Sequence, residues 1–349
     1  MHLERPDPLY PTIPLYQAPM AGVSTPAMAA AVSNAGGLGG LGLGAMSPNA
    51  ARDTILETQA LTRRAFNVNL FCHAPAVRNE RLEADWIERS RELFAAFGAA
   101  PPARLEEIYT PFTANDAMLD VLLQTRPAVV SFHFGLPRPG QIRALRDAGC
   151  RLIATATSLE EARRIEASGL DAVIVQGWSA GGHRGVFDPR AHDDKLSTEA
   201  LTRLLAHEIS LPVIAAGGLM DGRDVTRALS WGAIAAQLGT AFVACPESAA
   251  DDAYRERLLE GGETRMTTAI SGRPARCLTN RFTAWSEGIP AEDVPAYPCT
   301  YALAKALHAA ARNQGEFGYG AQWAGTQAAK ARAMPAQALT LEIEAARYR

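Results

Sequence analysis

The chain has 349 residues, 48% hydrophobic and 20% charged, with a formal net charge of -3. That length and apolar content fit one large α/β barrel or two ordinary domains and argue against disorder. The slightly acidic balance argues against nucleic acid as a partner, because phosphate neutralisation needs a basic face.

No apolar run is long and uniform enough to span a membrane. The N-terminus, M-H-L-E-R-P-D-P, lacks the charged-then-apolar pattern of a signal peptide. The five cysteines (Cys72, Cys150, Cys245, Cys277, Cys299) have no C-x-x-C spacing. They read as reduced cytoplasmic thiols rather than a disulfide frame or a zinc site.

In chain order, a short strand from Leu15 ends near Met20-Ala21-Gly22. Ser24 or Thr25 stands at the N-cap position before Pro26, and the helix Ala27 to Ala35 stops at Gly36-Gly37. The glycine-rich strand Leu38 to Gly44 overlaps a literal G-x-G-x-x-G at Gly37, Gly39 and Gly42. A dinucleotide site needs a strand before that motif and a helix opening on it; here the order is reversed, so close backbone packing is the better reading.

A helix from Pro48 to Leu61 precedes an alternating strand, Ala65 to Cys72, that puts Asn67 and Asn69 on one face. Those amides reach either a polar ligand or nearby backbone. Residues 73 to 126 are long for one barrel connection. They read as an insertion with helices near Asn79 to Gly98 and Ala114 to Thr125. Tyr109 within it either closes over a pocket or fills a packing gap.

The pattern then becomes regular. A strand at Ala128 to Phe134 carries His133 at its end, and a helix runs from Gly140 to Ala148. The strand Arg151 to Thr157 leads into a helix with Ser158 and Glu161 as a capping box. The strand Asp171 to Gln176 is followed by the loop Gly181-Gly182-His183, then a helix at Thr198 to Glu208. Strand Pro212 to Gly218, helix Gly222 to Trp231 and strand Ala233 to Phe242 complete the series. Strands alternating with helices imply parallel βαβ units, and eight of them imply a closed TIM (β/α)8 barrel. Residues 1–245 would form the barrel. Residues 246–349 show helical stretches, notably Tyr301 to Arg312 and Gln322 to Met334, and no obvious strands; they read as a helical extension packing near the barrel mouth.

A (β/α)8 barrel places its site at the C-terminal strand ends. There the sequence puts Met20, Ala21, Gly22, Asn69, His133, Gln176, Gly181, Gly182 and His183, then Gly217, Gly218, Gln237, Leu238, Gly239 and Thr240. No pair of carboxylates suits a glycosidase, and no metal-ligand spacing suits a metallohydrolase. The glycines after the last two strands suit a phosphate, with backbone N–H groups and the Thr240 hydroxyl as donors, or else simply make tight turns.

Six segments in this order, P-M-A-G-V-S-T-P, N-A-G-G-L-G, F-N-V-N-L-F, A-G-G-H-R-G, A-A-G-G-L and Q-L-G-T-A-F, resemble the nitronate monooxygenases, once called 2-nitropropane dioxygenases. The F-N-V-N-L-F-C-H-A-P form, Tyr109 and the tail Y-P-C-T-Y-A-L-A-K resemble the bacterial class I enzymes. The resemblance implies an FMN-containing barrel that oxidises alkyl nitronates, propionate 3-nitronate in particular, with O2 to a carbonyl compound and nitrite. It implies FMN contacts from Asn69, Gln176, Gly181, Gly218 and Gln237 through Thr240. It also makes His183 the active-site histidine, either a base for a neutral nitroalkane or a group that binds an anionic nitronate. His133 is a second active-site candidate. Tyr109, Tyr297, Tyr301 and Lys305 are pocket candidates; Lys305, one helical turn from Tyr301, would pair with a substrate carboxylate or simply be solvated. The rival functions are an FMN-dependent NAD(P)H:quinone or enoyl-thioester reductase on the same scaffold and a flavin-free phosphate-binding lyase or isomerase.

Overall fold

The β-branched and small apolar runs form strands, and Ser, Thr or Asp side chains cap the helices that follow several of them. The computed structural model describes residues 7–349. Residues 1–6, most of the segment read for a signal peptide, lie outside them. The strands are β1 (Leu15–Gln17), β2 (Gly39–Gly42), β3 (Phe66–Phe71), β4 (Val129–His133), β5 (Arg151–Ala156), β6 (Ala172–Gln176), β7 (Gly182–His183), β8 (Val213–Ala216), β9 (Ala235–Leu238), β10 (Thr264–Thr267) and β11 (Ala275–Leu278). Eight of them pair in parallel in the order β1-β9-β8-β6-β5-β4-β3-β2. A parallel bridge between Tyr16 and Leu38 joins β1 to β2 and closes the ring. The expected (β/α)8 barrel is present with eight strands near their anticipated places, although the last, expected to Phe242, ends at Leu238 and gives way to a helical turn at Thr240–Val243.

The helices are α1 (Pro26–Ala35), α2 (Pro48–Leu61), α3 (Glu80–Ala95), α4 (Asp116–Thr125), α5 (Pro139–Asp147), α6 (Leu159–Ala167), α7 (Thr198–Glu208), α8 (Gly222–Ser230), α9 (Thr240–Val243), α10 (Asp252–Leu259), α11 (Arg281–Trp285), α12 (Cys299–Arg312) and α13 (Ala336–Ala346). Among the described residues no helix is long and apolar enough to cross a membrane. Thr25 caps α1 by accepting from the Met28 N–H at 3.1 Å, with Pro26 as the first helical residue. Ser158 likewise caps α6, but Glu161 bonds the Thr157 N–H at 2.7 Å, so the capping box is only half formed.

One apolar layer lies between strands and helices, and a smaller one fills the barrel interior around Tyr16, Ile153, Ile174 and Ile214. The glycines of β2 serve the first layer. A Cβ at Gly39 would stand 2.0 Å from the Ala29 carbonyl oxygen, and one at Gly42 2.5 Å from the Ala21 nitrogen. The G-x-G-x-x-G thus lets α1 and its loop press onto the strand and is not a dinucleotide turn.

Three expectations change. The inserted segment is narrower than residues 73–126, because α4 packs on α2 and α5 as an ordinary barrel helix. The chain after Pro246 is not purely helical: β10 and β11 pair antiparallel, and β11 pairs with β7, forming a second sheet over the barrel mouth. Gln322 to Met334 holds only one 3-10 turn, at Ala328–Lys330, while α13 packs against α1 and α8 and fills the place of the eighth barrel helix. The mouth is covered by α3, α11 and α12, joined through Trp86, Phe94, Phe282 and Leu303.

Candidate active site

The C-terminal strand ends open into a cavity of about 740 Å3, closed from above by α12 and the segment before α13. This lies within the usual range for small-molecule sites. Met20, Ala21 and Gly22 line it from the β1 loop, Asn69 from β3, Gln237 from β9, and Gly239 and Thr240 from the turn beyond. Gly217 and Gly218, with φ of 116° and 68°, line it after β8. Leu238 does not: its side chain is fully buried in the layer between strands and helices.

His183 is the centre of the inner end. It lies deep in the molecule yet keeps accessible surface, because it faces the cavity. β7 pairs it with Ala275 of β11, and its Nε2 is 2.8 Å from the Ser271 hydroxyl. Its carbonyl oxygen accepts from Gln176 Nε2 at 2.9 Å and from His133 Nε2 at 3.3 Å. Gln176 Oε1 accepts from the Gly185 N–H at 2.7 Å. The Gln176 amide, expected against the flavin edge, is therefore engaged at both ends in holding the His183 loop.

His133 is engaged in the same way. Because its Nε2 faces a carbonyl, that nitrogen carries the proton, and Nδ1 accepts from the Thr155 hydroxyl at 3.0 Å. Both of its nitrogens are bonded within the protein, and it lines the cavity beside His183.

Burial, then His133 and the Arg273 guanidinium, hold His183 at about 3. Burial also pushes His133 down to about 4, helped by Arg273 and Arg184 against the pull of the His183 carbonyl. Both imidazoles are neutral at pH 7.

Aromatic rings form the wall. The His183 ring is 5.6 Å from Phe134, 5.6 Å from Tyr297 and 4.9 Å from Trp323. Tyr109 lines the cavity and stands 6.2 Å from Tyr297 and 6.1 Å from Tyr301. Phe134 takes a left-handed φ of 72° between His133 and Gly135. Such a backbone costs about 1–3 kcal/mol and persists where packing fixes the ring. Lys305 stands exposed at the rim, with its ammonium 5.1 Å from the Tyr109 ring and 5.3 Å from Tyr301. Local burial of that end lowers its pKa.

Gly181 lines the cavity, but the space of its missing side chain belongs to the protein. A Cβ there would stand 2.5 Å from the backbone of Ala324 and Gly325. Gly182, with φ of 72°, meets only the Trp323 Cβ at 3.9 Å.

Sequence reasoning missed Ser271, Arg273 and Trp323. Ser271 is 88 positions from His183, and no local spacing announces the pair. Phe71 and Phe134 were findable, since both end barrel strands.

This arrangement has counterparts. The family model described as nitronate monooxygenase matches residues 9–344. The nitronate monooxygenase of Paraburkholderia phytofirmans is 56% identical over 95% of this chain and 91% of its own. That of Pseudomonas aeruginosa is 51% identical over 93% of each chain. The crystal structure of nitroalkane oxidase from Streptomyces ansochromogenes superposes with a TM-score of 0.90 at 37% identity, over 97% of this chain and 96% of that one. With fold, motif order and relatives in agreement along nearly its whole length, the chain belongs to the nitronate monooxygenase family.

Proposed function

We propose that this enzyme oxidises anionic alkyl nitronates, propionate 3-nitronate among them, with FMN and O2, releasing nitrite and a carbonyl compound. The observation that carries the reading is that, among the described residues, the cavity wall holds no free carboxylate to act as a strong base. His183 is held near 3 and His133 near 4. Asp251, the one carboxylate on the cavity wall among the described residues, caps α10 by accepting from the Tyr254 N–H at 2.8 Å. A neutral nitroalkane must lose a carbon-bound proton before it can be oxidised in this way, whereas a nitronate arrives without it.

The residues fit a flavin. Gln237 Oε1 is buried with no partner, as is the Tyr297 hydroxyl, and both residues line the cavity. A buried polar atom without a partner is costly, so a ligand donor or acceptor at each would be favourable. Met20, Ala21, Gly22, Asn69, Gln237, Gly239 and Thr240 would hold FMN, with Gly217 and Gly218 toward its phosphate. Thr240 Oγ1 already accepts from the Gly325 N–H at 3.0 Å, which leaves its own proton to donate. FMN, when bound, would supply the electron-accepting chemistry. The division at Cys245, into an FMN-holding barrel and a cover, is part of this proposal, with α13 returning from beyond Cys245 to complete the barrel.

His183 binds and orients in this scheme. In this proposal the Ser271 hydroxyl turns its proton to Nε2 rather than to the Arg273 carbonyl at 3.2 Å, so that the imidazole proton sits on Nδ1 and the neutral ring is a donor for a nitronate oxygen. Gln176 and His133 fix the loop that carries it. The aromatic wall excludes water, and Lys305 at the rim pairs with a substrate carboxylate.

The test is to purify the protein, record a flavin spectrum and assay nitrite from propionate 3-nitronate. Nitrite formation by a yellow protein is expected. Rapid anaerobic bleaching by NADH would favour the reductase, and absence of flavin absorbance would favour the lyase or isomerase.

A further inference from the structure

Arg273 is a cation where the fold ordinarily excludes one. It stands in the connection between β10 and β11 and is only 3% exposed. Nη2 donates to the Val186 carbonyl and reaches that of Phe187 at 3.4 Å, while Nε is buried without a partner. No carboxylate pairs with it among the described residues. Glu161 and Asp188 are the acidic groups that act on it at longer range. Glu161 is already committed to Thr157 and to the Phe187 N–H. A buried charge left this short of compensation is costly unless something else in the site answers it.

Its position says where the answer lies. The guanidinium carbon is 4.4 Å from the Phe134 ring centre and 5.9 Å from that of Tyr297. Both rings also meet the His183 imidazole, each at 5.6 Å, and both line the cavity while Arg273 does not. Arg273 therefore stands one aromatic layer behind the inner wall, while Lys305 is at the rim.

We infer that Arg273 is the counter-charge of the inner end of the cavity, a positioning residue that favours a small planar oxyanion beside His183 without touching it. The identity of that oxyanion as a nitronate rests on the function proposed above. A cation behind the wall attracts the anion through a medium poor in water and salt, where charge acts over longer distances than in solution. It makes no bond to the anion's oxygens, which stay free to react. The same field disfavours a proton on either histidine, consistent with their neutral state.

Nitrate, planar and monoanionic, is the probe. Its dissociation constant is measured by calorimetry on the flavin-loaded protein, with neutral nitroethane as control, for wild type, Arg273→Gln and Arg273→Lys. Arg273→Gln is expected to weaken nitrate binding roughly 10- to 100-fold, with nitroethane changed less than about threefold. Arg273→Lys should hold nitrate within about threefold of wild type, because the charge remains. In NMR titrations the His183 pKa should rise in Arg273→Gln and stay low in Arg273→Lys. Unchanged nitrate binding in Arg273→Gln would overturn the inference. Equal loss in both variants would overturn it too, because the carbonyl fork and not the charge would then matter. If Arg273→Gln does not fold, Arg273→Met, equally uncharged, takes its place with the same expected loss, and unchanged nitrate binding there would overturn the inference. Arg273-dependent nitrate binding without nitrite release from propionate 3-nitronate would support the counter-charge and overturn the nitronate reading.

Discussion

Replacing Gln176 by leucine removes both hydrogen bonds that fix the His183 loop while keeping the side chain's approximate bulk. The Gly185 N–H loses its 2.7 Å partner and is left buried. The His183 carbonyl loses its 2.9 Å donor but keeps His133 at 3.3 Å. Two net hydrogen bonds contribute about 1 kcal/mol each, and an unsatisfied buried N–H adds about 1–3 kcal/mol, so a loss of roughly 3–5 kcal/mol is expected. For a chain of this size that lowers Tm by roughly 4–8 °C. A shift of about 1 Å at His183 would cost up to roughly a hundredfold in kcat/KM for nitronate. Thermal melts, flavin content per protein and nitrite kinetics read the three effects separately. The expected outcome is a lower Tm, near-normal flavin content and slow turnover. Lost flavin with normal turnover per bound flavin would refute the reasoning and return Gln176 to the role of a cofactor contact.

His183→Asn should retain flavin but lower kcat/KM for nitronate at least tenfold; an unchanged value would remove it from the site. His183 and His133 are held below their ordinary value of 6.5, near 3 and 4. The unfolded chain therefore binds more protons between about pH 6.5 and 4, and stability should fall as pH drops through that window. Urea midpoints at pH 7.5, 6 and 5 check this, and a flat profile would contradict the neutral buried pair. Lys305→Met should raise KM for propionate 3-nitronate roughly tenfold while leaving an uncharged alkyl nitronate within about twofold, as expected for a partly screened ion pair; equal effects on both would deny it a carboxylate role. Gly181→Ala drives a methyl group to 2.5 Å from the Ala324–Gly325 backbone and should lower Tm clearly even without flavin.

The barrel was legible because most of its strands are short apolar runs and most of the helices between them start at a side-chain cap, as at Thr25 and Ser158. The rim of the site was legible because barrel strands end there. What escaped was what tertiary pairing creates. β7 is two residues long and exists only because Arg276 and Ala275 of β11 run beside it. Gln322 to Met334 has helical composition, but it passes so close to the β6–β7 loop that a Cβ at Gly325 would stand 2.9 Å from the Ser179 carbonyl oxygen. The partners of Gln176 and His133 were not legible, because a polar residue at a strand end signals only that a partner exists. For both residues that partner is the backbone of the His183 loop.

The central claim is that the cavity takes its substrate already as an anion. Nitrite release from propionate 3-nitronate should be compared, at equal concentration and pH 7, with release from its neutral nitroalkane form added before it can ionise. The predicted result is prompt turnover of the nitronate, and with the neutral form a rate no faster than its spontaneous ionisation. Turnover of the neutral form faster than that ionisation, lost in His183→Asn, would contradict the claim by requiring a proton-abstracting base.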